Sequence, residues 1–287
     1  MTLESAIHEF LLACDADGFT LATLRWYRSL LARFAESYTG PVNQVTTHQL
    51  REYLVDLRKL DYSRDTISAH NRALHRFFSW AANEYQIPNP MRPIKYPRAP
   101  QPQPRAASLE DIQAMFQAAE NTRDRAILAF LLDTGCRAGG LCKLRPIDLD
   151  IREKRALVTE KGDKTRAVIF TEFTAQYLWD WITERYSVET LFYNLETLQP
   201  LTPSGLYQLL RRLARRAKVQ GRFNPHSLRH TFAREYIIAG GDLATLSRLL
   251  GHRDVSTTVN HYAIFTDKEI REKHEKYSPV KKLRKVE

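Results

Sequence analysis

Residues 224–262 read NPHSLRHTFAREYIIAGGDLATLSRLLGHRDVSTTVNHY, and residues that start and stop helices divide this stretch. Asn224 can cap a helix, and Pro225 suits a first helical position, where no backbone N–H is needed. The helix should end at Gly240-Gly241, because glycine readily takes the left-handed conformation of a helix end. The sequence therefore predicts one helix that carries both His226 and Arg229.

Two more short helices are predicted in the same stretch. Asp242 can cap the second, and its leucines recur at helical spacing until Gly251 ends it. The third can start near Ser256 and would carry Tyr262. Three short elements thus present a series of polar side chains, which are His226, Arg229, His252 and Tyr262.

The residue types alone leave other interpretations open. His226 and His230 are four apart, like a zinc pair, but the Glu of H-E-x-x-H is missing and no third ligand is evident. The segment LSRLLGHRDVSTTVNHY also fits a helix-turn-helix, which would need no chemistry. The combination is more specific than any part of it: H-x-x-R, then L-G-H, then Tyr resembles the carboxy-terminal signature of the tyrosine recombinases, or phage-type integrases.

This resemblance predicts an Arg and a Lys upstream, and the chain has both. Arg137 stands in TGCRAGGL, which matches the family's T-G-x-R-x-x-x-L segment. Lys161 stands in EKGDKTR, which is similar to the family's G-K-G-x-K-x-R turn, and it is the first Lys of that turn that matches the catalytic one. Lys164 in the same turn is the competing candidate.

The chain departs from the family pattern at two places. Relatives usually have an acidic residue three after the Arg, where this chain has Gly140, so the supporting role of that carboxylate is either lost or taken by another group. The step from His252 to Tyr262 is ten residues, whereas many relatives have nine. Gly140 is also compatible with a weakened or decayed catalyst.

The resemblance implies a chemistry and assigns a role to each residue. Tyr262 would attack the scissile phosphate and form a 3′-phosphotyrosyl link, without ATP, metal or other cofactor. Arg137 and Arg229 would bind the phosphate oxygens, and Lys161 would protonate the leaving 5′-oxygen. His226 would accept the Tyr proton or hold a phosphate oxygen, and His252 would donate a hydrogen bond to it.

Composition is compatible with this function. The formal net charge is +10, which favours a polyanionic partner. The chain has three cysteines, an odd and small number that does not suit a disulfide framework, so a reducing compartment is expected. The amino terminus shows no signal peptide, and no apolar run is long enough to span a bilayer. We therefore expect a cytoplasmic, nucleoid-associated protein with no membrane contact.

The expected fold is mainly α-helical with a small antiparallel β-sheet, in two domains. Residues 1–87 contain four capped, helix-periodic segments, and by resemblance they form a core-binding, SAM-like helical bundle. Residues 88–107 are rich in proline and basic, and predict an extended linker. Residues 108–287 begin with a capped helix at Ser108, include the hairpin RALVTE–TRAVIF, and form the α+β catalytic domain with a carboxy-terminal tail.

Double-stranded DNA with a specific recombination site is the expected partner. The resemblance implies two subunits per site, four in a synapse, and a tail exchanged in trans. Basic side chains that could follow the phosphate backbone are Arg25, Arg28, Arg72, Arg76, Lys95 and Lys164, although single residues of this kind are often only solvated. A type IB topoisomerase-like activity and a non-catalytic helix-turn-helix DNA-binding protein are the alternatives.

Overall fold

The computed structural model describes residues 1–96, 106–160, 164–221 and 223–251, together with 256, 258, 271 and 274–276. The chain divides into two compact units, Met1–Pro102 and Gln103–Glu287. Within the described residues, no helix has the length and apolar character needed to cross a bilayer. The mainly helical fold with one small antiparallel sheet is confirmed.

The first unit is a bundle of four α-helices, each opened by the capping residue that the sequence indicates. Thr2, Thr20, Thr46 and Ser63 each accept a hydrogen bond from the backbone N–H three residues later, which satisfies a donor that the first turn leaves open. The helices are α1 (Leu3–Ala16), α2 (Leu21–Ala35), α3 (Thr47–Lys59) and α4 (Arg64–Tyr85).

Aromatic side chains fill the core of this bundle. Phe10, Phe34, Phe77 and Phe78 are each at most 1% exposed. Phe10 and Phe77 meet edge to face, with ring centroids 5.6 Å apart, a geometry that the ring quadrupole favours. Burial of each such side chain contributes about 1.5–3 kcal/mol relative to exposure. The apolar stripe of each helix therefore explains how the four pack together.

The chain after α4 remains attached to the bundle. Met91 and Ile94 are buried in its core, and the carbonyl of Pro90 accepts a hydrogen bond from Thr47 Oγ1 at 2.8 Å. The backbone N–H of Ile94 donates to the carbonyl of Met91, which closes a turn. The prediction of an extended spacer is therefore wrong for residues 88–96, because two apolar side chains there complete the bundle core.

The second unit contains seven α-helices and a sheet among its described residues. Capping by Ser108, Asn224 and Asp242 is as the sequence indicates. The short α7 was not expected, and Arg137 is its N-cap. The helices are α5 (Leu109–Ala118), α6 (Thr122–Thr134), α7 (Ala138–Lys143), α8 (Glu172–Glu184), α9 (Pro203–Arg216), α10 (Pro225–Ile238) and α11 (Leu243–Leu250).

The sheet has three antiparallel strands in the order β1 (Leu149–Asp150), β2 (Arg155–Glu160) and β3 (Lys164–Ile169). The hairpin pairs Val158 with Arg166 and Glu160 with Lys164. Every second residue of β2 is buried, namely Ala156, Val158 and Glu160. Because side chains alternate across a strand, Glu160 lies on the same inner face as Val158, and the end of the strand brings a carboxylate into the interior.

Helix α6 passes through the centre of the second core and packs against α8. Its residues Ala126–Leu131 are all at most 2% exposed, which agrees with the apolar sequence AILAFL. The three cysteines, Cys14, Cys136 and Cys142, are buried and free. Ser256 and Thr258 are helical, as expected for the start of a third helix, whereas Tyr262 lies outside the described residues.

Candidate active site

Arg229 lies in the interior of the second unit, where it joins the ends of two helices. It is 2% exposed, and its Nη1 donates to the carbonyl of Gly135 at 2.6 Å. Its Nη2 donates to the carbonyl of Leu250 at 2.7 Å. The last carbonyls of a helix have no partner within the helix and carry partial negative charge, so a guanidinium is a suitable partner for them. Arg229 thereby fixes the ends of α6 and α11 to α10.

Arg137 follows the same end of α6 and faces outward. Gly135 ends α6 with a left-handed conformation of φ 57°, which turns the chain so that Arg137 can cap α7. The Arg137 side chain is 43% exposed, and its Nη1 forms an ion pair with Glu160 Oε2. Its guanidinium therefore lies between a buried carboxylate and the solvent.

Glu160 is the carboxylate shared by this group of arginines. It is 9% exposed, and its Oε1 accepts a hydrogen bond from Arg166 Nη2 at 3.1 Å. Burial acts to raise the pKa of Glu160. The charge and hydrogen bond of Arg166, followed by the charges of Arg137 and Arg229, outweigh burial and hold the pKa below its ordinary value. The carboxylate is thus ionised at neutral pH and within reach of three positive charges.

Arg166 extends this group to the end of α11. Its Nη1 donates to the carbonyl of Leu249 at 2.7 Å, so Arg166 and Arg229 bind consecutive carbonyls. Gly251, which ends α11 at φ 67°, packs directly on Arg166: a Cβ there would lie 2.6 Å from Arg166 Nε. Only glycine provides both this conformation and this close approach. The terminus of α11 is therefore held by two arginines from different elements.

His226 lies at the rim of this region. It is in the first turn of α10 and exposed, whereas Arg229, one turn later, is buried. Its ring contacts the ring of His230, with centroids 4.3 Å apart. The described residues include no group of three or more His, Cys, Asp or Glu that could hold a metal ion. The two histidines thus form an aromatic contact at the start of the helix.

Three of the predicted site residues, Lys161, His252 and Tyr262, lie outside the described residues. Two of them directly follow, in sequence, residues that contact Arg166: Lys161 follows Glu160, and His252 follows Gly251. Lys164, the competing lysine, is exposed at the start of β3 and pairs with Glu160 across the hairpin. The structure thus brings together Arg137 and Arg229, and places the neighbours of Lys161 and His252 beside them.

The basic residues proposed to contact DNA are exposed in both units. In the first unit, Arg76 lies over the ring of Phe19, 5.9 Å from its centroid, and Arg72 contacts Ser68 Oγ at 3.4 Å. The exposed side chains are Arg25, Arg28, Arg72, Arg76 and Lys95 in the first unit and Lys164 in the second.

Comparison with known families identifies the chain. The family model described as the phage integrase family matches residues 107–269, more than half of the chain. The chain belongs to the phage integrase family. A second family model, for the N-terminal SAM-like domain of phage integrases, matches residues 9–85. The integrase match includes every residue of the candidate site, from Arg137 to Tyr262.

The relatives of this integrase are named tyrosine recombinases. The chain is 28% identical over 250 residues to the tyrosine recombinase XerC of Listeria innocua, covering 82% of this chain and 83% of the relative. It is also 28% identical over 284 residues to the tyrosine recombinase XerA of Thermococcus kodakarensis, covering 96% of each. The class of enzyme expected from the sequence, a tyrosine-type site-specific recombinase, is confirmed, and neither alternative is favoured.

Solved structures share the fold of this integrase. A crystal structure of XerA recombinase is 26% identical, with a TM-score of 0.55, and covers 96% of this chain and 99% of that one. The Tn1549 transposon integrase, solved in complex with a circular intermediate DNA, is 18% identical, with a TM-score of 0.81, and covers 97% of this chain and 100% of that one. The two-part architecture is thus common to these proteins.

Glu160 and Arg166 are the two residues that sequence reasoning did not assign to the site. Arg166 is the final Arg of EKGDKTR, the segment compared with G-K-G-x-K-x-R, so a signal was present. Glu160 occupies the position where that turn has Gly, which was a second signal. The alternation along β2 would have indicated that Glu160 faces the core beside Val158.

Proposed function

We propose that this integrase cuts and rejoins double-stranded DNA at a specific site through a covalent link to Tyr262. The observation that carries the proposal is the arginine group: Arg137 and Arg229 lie beside Glu160, where α6, β2 and α11 end. Lys161 and His252 are the next residues along the chain after β2 and α11. Two of the six predicted catalytic residues thus belong to this group, and two more directly follow the ends of its elements in sequence, which supports the proposal.

Arg137 and Arg229 would bind the non-bridging oxygens of the scissile phosphate. Guanidinium groups suit this role because they remain charged and donate two parallel hydrogen bonds. Arg229 is fixed by two carbonyls and Arg137 by a carboxylate, so neither has to reorganise when charge develops in the transition state.

Tyr262 would attack the phosphorus and form a bond between its phenolic oxygen and the 3′-phosphate. The bond from phosphorus to the 5′-oxygen breaks, Lys161 gives that oxygen a proton, and a 5′-hydroxyl is released. The phosphotyrosyl link retains the energy of the broken bond, so attack by a 5′-hydroxyl rejoins the strand without ATP. His226 would accept the Tyr proton or hold a phosphate oxygen, and His252 would donate a hydrogen bond to the phosphate.

The exposed basic residues of both units would supply phosphate contacts, and helices in the major groove would read the sequence. The residues proposed for phosphate contact remain Arg25, Arg28, Arg72, Arg76, Lys95 and Lys164. Two subunits would occupy each site and four would form a synapse, with the carboxy-terminal tail exchanged between subunits. Affinity should therefore fall steeply as salt concentration rises.

Covalent trapping tests this proposal. Duplexes bound by the full chain would first be selected from a random library, then prepared with a nick that lets the cleaved fragment diffuse away. The wild-type chain should form an adduct that survives denaturation, and Tyr262→Phe should form none. Tyr207→Phe, which changes an exposed tyrosine on α9, is the matched control and should retain the adduct. An adduct with Tyr262→Phe would refute the assignment of the nucleophile.

A second substrate tests the general acid. With a sulfur atom in place of the bridging 5′-oxygen, the leaving group needs no proton, so Lys161→Ala should regain cleavage on this substrate. Lys164→Ala is the comparison variant: because Lys164 is proposed to contact a phosphate, it is tested at saturating concentrations of the duplex, where it should cleave the ordinary substrate. Failure of the sulfur substrate to rescue Lys161→Ala would move the general acid elsewhere. Relaxation of supercoiled DNA of any sequence would instead favour a topoisomerase, and binding with no adduct a regulator.

A further inference from the structure

We propose that Glu160 is the positioning residue that orients Arg137 for phosphate binding, in place of the carboxylate that is absent at Gly140. The proposal rests on the function proposed above and adds a residue to it. Glu160 bonds Arg137 with one carboxylate oxygen and Arg166 with the other. Since Arg166 also holds the carbonyl of Leu249, one carboxylate joins Arg137 to the end of α11.

The charges at this location suit a site that remains positive. Three guanidinium groups, of Arg137, Arg166 and Arg229, act on the single carboxylate of Glu160. These side chains keep a net positive charge after the carboxylate is counted, which a phosphodiester can neutralise. Without Glu160 the three like charges would repel one another, and the half-exposed Arg137 would have the greatest freedom to turn into solvent. Glu160 therefore orients the Arg137 guanidinium and leaves the net charge of these four side chains positive.

Helix geometry explains why a carboxylate at position 140 would do the same work. Arg137 is the N-cap of α7, and Gly140 is the third residue of the helix. A side chain at this third position points back toward the cap residue, as in a capping box, where it accepts a hydrogen bond from the backbone N–H of that residue. A Cβ at Gly140 would lie 3.6 Å from Glu160 Cγ and 3.4 Å from Val158 Cβ, which is ordinary van der Waals contact, so a side chain at position 140 would start beside that of Glu160.

The two positions are thus exchanged in this chain. The segment that resembles T-G-x-R-x-x-x-L has Gly140 where an acid is usual, and the turn that resembles G-K-G-x-K-x-R has Glu160 where Gly is usual. In the fold these two positions face each other across α7 and β2, which bring both of them to Arg137. Strand β2 therefore supplies, through Glu160, the carboxylate that α7 lacks at Gly140.

The proposal can be tested by moving the carboxylate from position 160 to position 140. The full chain is compared with Glu160→Gln, with the double variant Gly140→Glu and Glu160→Gly, and with the control Gly139→Glu and Glu160→Gly. Gly139 precedes Gly140 on α7, and a Cβ there meets nothing within 4 Å, so the control adds the same charge to the helix at a position that does not contact Glu160 or Val158. The rate of adduct formation is measured at saturating concentrations of the selected nicked duplex, together with the affinity for that duplex.

We expect Glu160→Gln to lower the rate of adduct formation by about 10–100-fold, since misplacement of a catalytic group by about 1 Å has an effect of this size. The affinity for the duplex should change by less than about threefold. The Gly140 double variant should recover most of the lost rate, and the Gly139 double variant should not. A wild-type rate in Glu160→Gln, or equal rates in the two double variants, would overturn the proposal.

An activity-independent measurement separates this proposal from the proposed function. In full chain labelled with ¹⁵N-arginine, the side-chain signal of Arg137, assigned through Arg137→Lys, should shift and broaden in Glu160→Gln and recover in the Gly140 double variant. An unchanged Arg137 signal in Glu160→Gln refutes positioning even if the wild-type chain forms no adduct. Absence of a wild-type adduct, with the expected Arg137 signals, refutes the proposed function alone. Thermal unfolding of each variant shows whether it folds.

Discussion

The two units of this integrase differ in what they bury. In the first unit the buried side chains are apolar or aromatic, and the only polar ones among its described residues are Ser68, His70 and Asn71. The described part of the second unit buries the charged side chains Arg123, Asp124, Glu160 and Arg229. Since removal of a charge from water is unfavourable unless it is paired and hydrogen-bonded, a fold seldom places charges inside for stability alone.

Within the second unit, the two buried ionic groups also differ from each other. Arg123 and Asp124 are 5% and 1% exposed, and Arg123 Nη1 bonds the carbonyl of Tyr193, so this pair is closed off. The Glu160 group opens to solvent through Arg137, whose side chain is 43% exposed. A closed pair fastens chain segments together, whereas an open group can bind a further anion. The difference favours the Glu160 group over the Arg123 pair as the candidate site.

The largest expected effect on stability comes from the core of the first unit. Phe77→Ala removes a fully buried ring and should lower the free energy of unfolding by about 3–5 kcal/mol, from lost burial and the resulting cavity. Hydrogen exchange followed by mass spectrometry should show faster exchange in peptides of α1–α4. Leu12→Ala, which changes a leucine of α1 that is 63% exposed, should have an effect within about 0.5 kcal/mol. Equal effects of the two variants would contradict this account of the core.

A smaller loss of stability, but a complete loss of adduct formation, is expected for Arg229→Met. The apolar side chain leaves the carbonyls of Gly135 and Leu250 without this donor in the interior, which should lower stability by about 2–4 kcal/mol. Exchange should increase at the ends of α6 and α11, and not in the first unit. Arg211→Met, which removes an exposed arginine on α9, is the matched control. If Arg229→Met retained both stability and adduct formation, Arg229 would be needed neither to hold the ends of α6 and α11 nor for cleavage.

The elements of this fold could be predicted because their signals are local. Thr20, Ser108 and Asp242 cap helices that begin one residue later, and the spacing of apolar residues gives the buried face. The short α7 was missed because AGGLCK has two glycines, which disfavour a helix, and no capping side chain in front. Contacts of Arg137 and neighbouring elements with the sheet must outweigh that preference.

The site could be predicted only in part because its contacts are distant in sequence. Arg229 meets Gly135 and Leu250 across 94 and 21 residues, and no local pattern indicates that it is buried. The motifs placed Arg137 and Arg229 in one functional group, but not the carboxylate between Arg137 and Arg166. Glu160 could be assigned only when strand alternation and the pairing of α7 with β2 were both known.

Gly251→Ala should have an intermediate effect. The alanine must adopt φ near 67° and place its Cβ on Arg166, so a loss of about 1–3 kcal/mol is expected from backbone strain and displacement of the guanidinium. Adduct formation should also slow, since His252 follows directly. Gly139→Ala provides a control of opposite sign: it lies inside α7 with open space around its Cβ, and should be neutral or stabilising by up to about 1 kcal/mol. A stable, active Gly251→Ala would mean that Arg166 does not constrain this helix end.

The smallest effect is a dependence on pH, and it tests whether the charge of Glu160 is favourable where it is buried. Its arginine neighbours hold the pKa below the ordinary value of 4.5, so the folded state favours the ionised carboxylate. The resulting stabilisation is fully present above that ordinary value and is lost as pH falls through the lower pKa of the folded state. The difference in free energy of unfolding between wild type and Glu160→Gln, from urea titrations, should therefore be constant at higher pH and shrink in acid.

Glu196→Gln is the control for this titration, because Glu196 is exposed in a turn of the same unit, and its difference from wild type should stay within about 0.5 kcal/mol at every pH. The sign of the Glu160 result decides between two descriptions of the buried group. If burial prevailed over the arginines, the wild type would gain stability relative to Glu160→Gln as the carboxylate became protonated. A difference that grows in acid would therefore mean that the second unit buries this charge at a net cost, and that the arginines around it are kept for binding DNA and not for holding Glu160.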